Sequence, residues 1–172
     1  AALGRAVLEG LTAGGIVGVI KHLPGHGRAN ADSHLALPAV TATLDELEDE
    51  IAPFRALAPI ATMAMTAHIL FEAWDAAQCA SQSAPTITRI IREAIGFDGL
   101  LMSDDITMQA LRGTMAERAQ AVLAAGCDIA LHCSGDFAEM TALAQAVPGL
   151  SAHAAIRLHR AMEAVADPCD DA

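Results

Sequence analysis

Four runs of nearly continuous apolar residues recur along the chain, and each turns polar at its C-terminal end. They are GIVGVIKH (15–22), PIATMAMTAH (59–68), GLLMSDD (99–105) and DIALHC (128–133). Short runs without polar alternation suit strands buried on both faces, as in parallel sheets. Helical patterns lie between and after them. TLDELEDEIAPFRALA (43–58) opens on a Thr43 or Asp45 cap and puts Leu44, Leu47, Ile51 and Phe54 on one stripe. TITRIIREAIG (86–96) and TMAERAQAVLAAG (114–126) each end at a glycine suited to a C-cap. FAEMTALAQAV (137–147) stops before Pro148, and AHAAIRLHRAMEAVA (152–166) follows. The chain also opens inside a helical pattern, AALGRAVLEGLTAGG.

Regular alternation of strand and helix predicts repeated βα units, a parallel sheet and right-handed crossovers. A closed barrel and an open doubly wound sheet both satisfy that pattern. No G-x-G-x-x-G follows the first strand, so the dinucleotide-binding version of the open sheet has no support. Lys21-His22, His68, Ser103-Asp104-Asp105 and His132-Cys133 all fall at the C-terminal ends of their strands. In a (β/α) barrel that end carries the active site. The expected fold class is therefore α/β, a (β/α) barrel of TIM type represented by about four βα units, a half barrel.

With 172 residues the chain is expected to form a single domain. Aromatic residues make up only 3%, so small aliphatic side chains must fill the core. The formal net charge of −11 argues against nucleic-acid or acidic-membrane partners, which need clustered Lys and Arg. No apolar run reaches the ~20 residues of a spanning helix. Cys79, Cys127, Cys133 and Cys169 form no C-x-x-C pair, which fits reduced thiols and a cytoplasmic location.

The densest chemistry sits in KHLPGHGRANADSH (21–34). A βα connection is usually ~2–6 residues long, and this one runs on to Pro38. Glycines there permit the close backbone approach a ligand requires. Asp32 and His34 are two apart, so in a turn the carboxylate can accept the imidazole N–H and stabilise the imidazolium. A histidine so held can give and take a proton near neutral pH. A metal centre built from His22, His26, Asp32 and His34 is the rival reading, although the spacing matches no standard zinc pattern. A merely solvated loop is the bland one.

In LLMSDDITM, two adjacent strand-end carboxylates point to opposite faces. One is expected to face the barrel mouth, where it suits attack on an anomeric carbon. The other is expected to cap the following helix. His68 and His132 read as pocket wall or hydrogen-bonded core, and Met63, Met65, Met102 and Met108 as core filler.

Taken together, KHLPGHG, ADSH, MTAHI and GFDGLLMSDDITMQAL resemble family 3 glycoside hydrolases, in particular their bacterial β-N-acetylhexosaminidase branch. The similarity runs in order over roughly residues 15 to 135, and the histidine loop is its most specific element. The resemblance implies that Asp104 is the nucleophile, His34 the acid/base, and Asp32 the residue that orients and charges it. It implies sugar contacts from Lys21 and His22, and a second, non-nucleophilic role for Asp105. It further implies a retaining β-N-acetylglucosaminidase acting on GlcNAc β-1,4-linked to anhydro-N-acetylmuramic acid in peptidoglycan recycling, with no metal and no cofactor. Arg28 departs from the short acidic or small residue many members carry there, with an expected effect on loop mobility or product contacts. A whole barrel needs ~250 residues, so residues 1–172 are expected to be the C-terminal portion of one. The N-terminal half, with further sugar-binding residues including an Asp and two Arg, is then missing. Such a half barrel is expected to pair with its complement or self-associate, and one alternative expectation is an inactive fragment.

Overall fold

The computed structural model describes residues 1–163. Cys169 and the last residues of the predicted 152–166 helix lie outside them. Four strands form one all-parallel sheet in the order β1 (Val19–Leu23), β3 (Met63–Thr66), β5 (Leu100–Asp105), β6 (Ile129–Leu131). Each is a neighbour of the next in sequence, with a helical segment between. The parallel order is the one the alternation predicted, and the sheet is an arc of the (β/α) barrel expected from the polar strand tips. A second sheet of two short parallel strands, β2 (Ala39–Val40) and β4 (Leu70–Phe71), pairs the segments that follow β1 and β3. Two-residue strands leave no periodicity to read, so this pairing is not foreshadowed along the chain.

Among the described residues five α-helices accompany the strands: α1 (Ala2–Ala13), α2 (Leu44–Leu57), α3 (Met115–Ala125), α4 (Phe137–Ala146) and α5 (Ala152–Glu163). Helices α2 and α3 start with reciprocal capping boxes, Thr43 with Glu46 and Thr114 with Glu117. Helix α3 ends at Gly126, whose φ of 116° is open to glycine at little cost. The helix Thr86–Ala94 is widened rather than α-helical. At its end the Ile95 amide donates to the Ile90 carbonyl five residues back, 2.8 Å away.

The register rows decide which side chains meet the helices. Ile20, Ala64 and Leu101 align across β1, β3 and β5, and all three are buried in one cluster with Ile51, Ile91 and Val122. The row on the opposite face, Met65, Met102 and Ile129, is only partly buried. This corrects the expectation that the methionines fill the core. Met108 does, but Met63, Met65 and Met102 line the concave inner face of the sheet. On α2, Leu47 and Ile51 are buried as expected and Phe54 packs against the core, whereas Leu44 is 62% exposed. Leu44 is the first helical residue, a turn below the part of α2 that reaches the sheet.

The N-terminal end of the sheet is fastened by an ionic network. Arg92 donates to the carbonyls of Phe97 and Gly99 at 3.0 and 2.8 Å and to Asp128 at 2.9 Å. Arg157 of α5 reaches Asp128 and Asp98, each at 3.0 Å, and Arg160 also meets Asp98. The Asp128 side chain is almost wholly buried, and its second role is to accept the Leu101 amide at 2.9 Å. Among the described residues no helix is long and apolar enough to cross a membrane. No disulfide joins Cys79, Cys127 and Cys133, and burial pushes the Cys127 thiol up to about 12.

Ile91 sits wholly buried where the widened helix meets the sheet. Ile91→Ala is expected to lower the free energy of unfolding by about 2–5 kcal/mol, measured by urea denaturation followed by circular dichroism.

Candidate active site

The C-terminal strand ends hold the polar residues, because every strand in a parallel sheet finishes at the same edge. Between Met102 and Asp105 strand β5 carries one residue more than β6 opposite it, and the side chains of Asp104 and Asp105 part company there, each toward its own partners. Asp104 Oδ2 lies 3.7 Å from His22 Nε2 at the tip of β1. Strand β3 separates these two strands, and neighbouring strands are ~4.8 Å apart. The two side chains therefore lean toward each other over the end of β3. Asp104 Oδ1 accepts the Asp105 amide at 2.9 Å, which leaves Oδ2 as the oxygen turned to His22. Partial burial pulls the His22 imidazole below its ordinary value, and the Asp104 carboxylate opposes that pull. Lys21 is exposed beside it. The bonds preceding His22 and Pro24 are cis.

Asp105 has a different task. Its Oδ1 accepts the amides of Thr107 and Cys133, at 3.0 and 3.2 Å, and its Oδ2 accepts the Thr107 hydroxyl. It thus closes the turn after β5 and ties that turn to the end of β6. The expected helix cap is corrected here, since α3 begins only at Met115 and is capped by Thr114. Arg118 of α3 supports the same turn from below, donating to the carbonyls of Ile106 and Met108 at 2.9 and 3.2 Å.

His68 is fully buried behind the strand tips. Its Nε2–H donates to the Asp105 carbonyl at 3.1 Å, so its Nδ1 must accept, and it takes the Ser81 hydroxyl proton at 2.6 Å. Cys79 lies 3.2 Å behind Ser81 and completes the relay. Burial holds His68 below the ordinary imidazole range, in its neutral form. Its place as a hydrogen-bonded core histidine matches one of the two sequence readings. His132 Nε2 meets Glu139 at 3.1 Å, while its buried Nδ1 has no partner among the described residues.

The long loop after β1 carries the remaining candidates. The His34 amide donates to Asp32 Oδ1 at 2.9 Å, and His34 Nδ1 lies 2.8 Å from the same oxygen. These two bonds hold the Asp32 carboxyl below the usual carboxylate range, so it is ionised at neutral pH. The imidazole proton on Nδ1 then points at Asp32 and Nε2 is left free. Both side chains are more than half exposed. The His34 carbonyl accepts the Gln109 amide at 3.2 Å, which docks this end of the loop against the turn after β5.

Near its base the loop meets Glu50 of α2. The Gly27 amide donates to Glu50 Oε2 at 3.2 Å, and Arg28 Nε lies 3.5 Å from Oε1. A Cβ on Gly25 would stand 2.8 Å from Glu50 Oε2, and one on Gly27 3.2 Å from Oε1. The close approach these glycines permit is thus to a side chain of the protein itself, a correction to their reading as ligand contacts. The sequence reading missed Glu50 and Ser81. Glu50 had a signal, since it sits three residues after Leu47 and one before Ile51, on the inward stripe of α2 where a carboxylate is out of place. Ser81 had none.

The rival metal reading needs the loop histidines to converge. Among the described residues no three His, Cys, Asp or Glu side chains do so. The His22 and His26 rings lie 5.4 Å apart, tilted by 57°, while Asp32 and His34 bond to one another.

A parallel βα arc with paired carboxylate and imidazole chemistry at its C-terminal mouth is the framework of a barrel hydrolase. The sequence model of the glycosyl hydrolase family 3 N-terminal domain matches residues 1–166, and the chain belongs to that family. It is 41% identical to a β-hexosaminidase of Chromobacterium violaceum over 163 residues, covering 92% of this chain and 45% of that protein. A Bordetella avium β-hexosaminidase is also 41% identical, over 78% of this chain and 39% of its own length. Among solved structures, NagZ from Neisseria gonorrhoeae in complex with N-trifluoroacetyl-D-glucosamine superposes with a TM-score of 0.80 at 35% identity, over 95% of this chain and 49% of that one. A family 3 β-N-acetylglucosaminidase from Paenibacillus sp. gives 0.83 at 31% identity, over 94% and 34%. The chain therefore spans somewhat under half the length of the curated relatives it matches.

His68 predicts a pH signature. Its pKa is lowered in the folded protein, so below about 6.5 the unfolded chain binds a proton that the folded one refuses. Stability is then full above that pH and falls as pH drops toward the folded value. Urea midpoints are expected to decline between pH 7 and pH 5, and His68→Gln is expected to flatten part of that slope, the rest coming from His22.

Proposed function

We propose that this chain carries the nucleophile and acid/base of a retaining β-N-acetylglucosaminidase. Asp104 is the nucleophile, His34 the acid/base, Asp32 its partner, and Lys21 and His22 bind the sugar. The observation that carries the reading is the Asp32–His34 pair, which leaves Nε2 free on a loop docked beside the strand of Asp104. The names of the similar proteins, β-hexosaminidase and β-N-acetylglucosaminidase, support the same substrate class.

In the first step Asp104 Oδ2 attacks C1 of a β-linked N-acetylglucosamine, and the C1–O bond to the leaving group breaks. The His34 imidazolium gives its Nε2 proton to the departing oxygen, while the Asp32 anion offsets the charge on the ring. A glycosyl ester on Asp104 results. In the second step neutral His34 takes a proton from water, which attacks C1 from the face the leaving group vacated. The ester breaks, Asp104 is released as carboxylate, and configuration is retained overall. An imidazole stands where the usual scheme has a second carboxyl group. No cofactor enters either step.

The natural substrate in this reading is a muropeptide fragment, GlcNAc β-1,4-linked to anhydro-N-acetylmuramic acid, consumed during peptidoglycan recycling in the cytoplasm. The acidic net charge fits a soluble carbohydrate substrate rather than a polyanion. Sugar binding also needs the wall that completes the barrel. The inner row Met65, Met102 and Ile129 is partly exposed, and Val19 beside it is 37% exposed. Strands β1 and β6 each lack a second neighbour among the described residues. We take the cover to be the complementary βα units that bring the longer relatives to their full length. A second copy of the chain is a substitute when that complement is withheld.

Hydrolysis of a chromogenic aryl β-N-acetylglucosaminide tests the chemistry. Asp104→Ala is expected to reduce turnover to background. His34→Ala is expected to lower kcat about 10²–10⁴-fold, with the smallest loss for substrates whose leaving group needs no proton. Unchanged turnover in Asp104→Ala removes the assignment of the nucleophile.

The 172-residue chain expressed alone is expected to give a light-scattering mass at least twice that of one chain. A stable monomer at micromolar concentration would show that the inner face does not require cover.

A further inference from the structure

We infer that Glu50 of α2 is a positioning residue for the acid/base loop, the fixed point from which the Asp32–His34 pair is carried to the mouth. The inference rests on the reading of His34 as acid/base and adds a residue outside the mouth to it.

Three observations converge on this carboxylate. It accepts the Gly27 amide at 3.2 Å through Oε2, and Arg28 approaches its Oε1 to 3.5 Å. Glu50 is itself shielded, with a side chain only 17% exposed, so its contacts are less screened than those of a surface pair. Arg28 also leans toward Glu46, 3.7 Å away on the same helix. Finally, both glycines of the P-G-H-G run pack directly on Glu50, so close that any side chain at Gly25 would collide with it. The backbone of 25–28 is therefore shaped around one oxygen pair of α2.

Beyond Arg28 the loop is held differently. Ala31, Asp32 and His34 are exposed, Ser33 between the last two is buried, and the His34 carbonyl accepts the Gln109 amide at 3.2 Å. With its charged contacts gathered at the base and its reactive side chains exposed beyond, the loop pivots at the base. Glu50 sets where that pivot lies, and hence the arc along which the imidazole travels. Losing it leaves the Asp32–His34 bond intact but removes the reference that aims it.

Amide hydrogen exchange and hydrolysis together test this. The variants are Glu50→Ala and the near-isosteric Glu50→Gln, which keeps an oxygen for Gly27 but not the charge for Arg28. Glu48→Ala, on the exposed side of the same helix, is the control. Exchange in residues 25–36 is expected to rise about tenfold in Glu50→Ala, equivalent to roughly 1.4 kcal/mol, by less in Glu50→Gln, and not at all in the control. Peptides covering β5 are expected to stay unchanged. Hydrolysis of the aryl glucosaminide is expected to lose kcat, with KM little altered, in the same order. Unchanged exchange in Glu50→Ala overturns the clamp. Faster exchange with undiminished kcat overturns its positioning role and leaves a purely structural tie. Wild-type protein that fails to hydrolyse even when assembled with the complementary βα units would instead overturn the proposed function, while the exchange result still decides whether Glu50 holds the loop.

Discussion

Everything at the mouth depends on one bond that the mouth does not display. The buried imidazole of His68 donates to the main-chain carbonyl of Asp105, with Ser81 and Cys79 behind it fixing which ring nitrogen bears the proton. A carbonyl held this way fixes the plane of its peptide, and with it the last residues of β5. Asp104 then projects from a strand end that has little freedom to rotate. The arrangement uses a neutral histidine for a structural purpose, and burial supplies the neutrality.

Two adjacent aspartates show how a strand divides labour. Asp105 is saturated, with amides from Thr107 and Cys133 and the Thr107 hydroxyl on its oxygens. Asp104 has one oxygen engaged by the neighbouring amide and the other turned to His22. The first carboxylate therefore builds the rim, and the second remains open to a ligand. The split falls where the β5–β6 register is irregular, between Met102 and Asp105, and the bonds to Thr107 and Cys133 draw Asp105 away from its neighbour.

Much of this was legible in the chain. The βα order and the polar strand tips could be read because buried parallel strands need unbroken apolar runs, and such runs stand out. The Asp32–His34 contact was legible because a spacing of two in a turn leaves few alternatives. What failed depended on tertiary placement. Met65 and Met102 read as core filler, since nothing in a strand's composition says which of its two faces is left uncovered. Gly25 and Gly27 announced a close approach but not its partner, which comes from a helix more than twenty residues away. The widened helix at Thr86–Ala94 leaves its mark only in hydrogen-bond spacing, and the apolar pattern of TITRIIREAIG does not distinguish it from an α-helix.

The opposite end of the sheet has its own logic. Arg92 serves two carbonyls through one nitrogen and Asp128 through another, a task that calls for a planar fork with several donors set at fixed angles. Lysine would bring equal charge on a single point and could not span all three acceptors at once. The base of the arc is thereby committed to a guanidinium for reasons of shape, and a substitution that conserves charge there would still loosen the seam between α5, β6 and the start of β5.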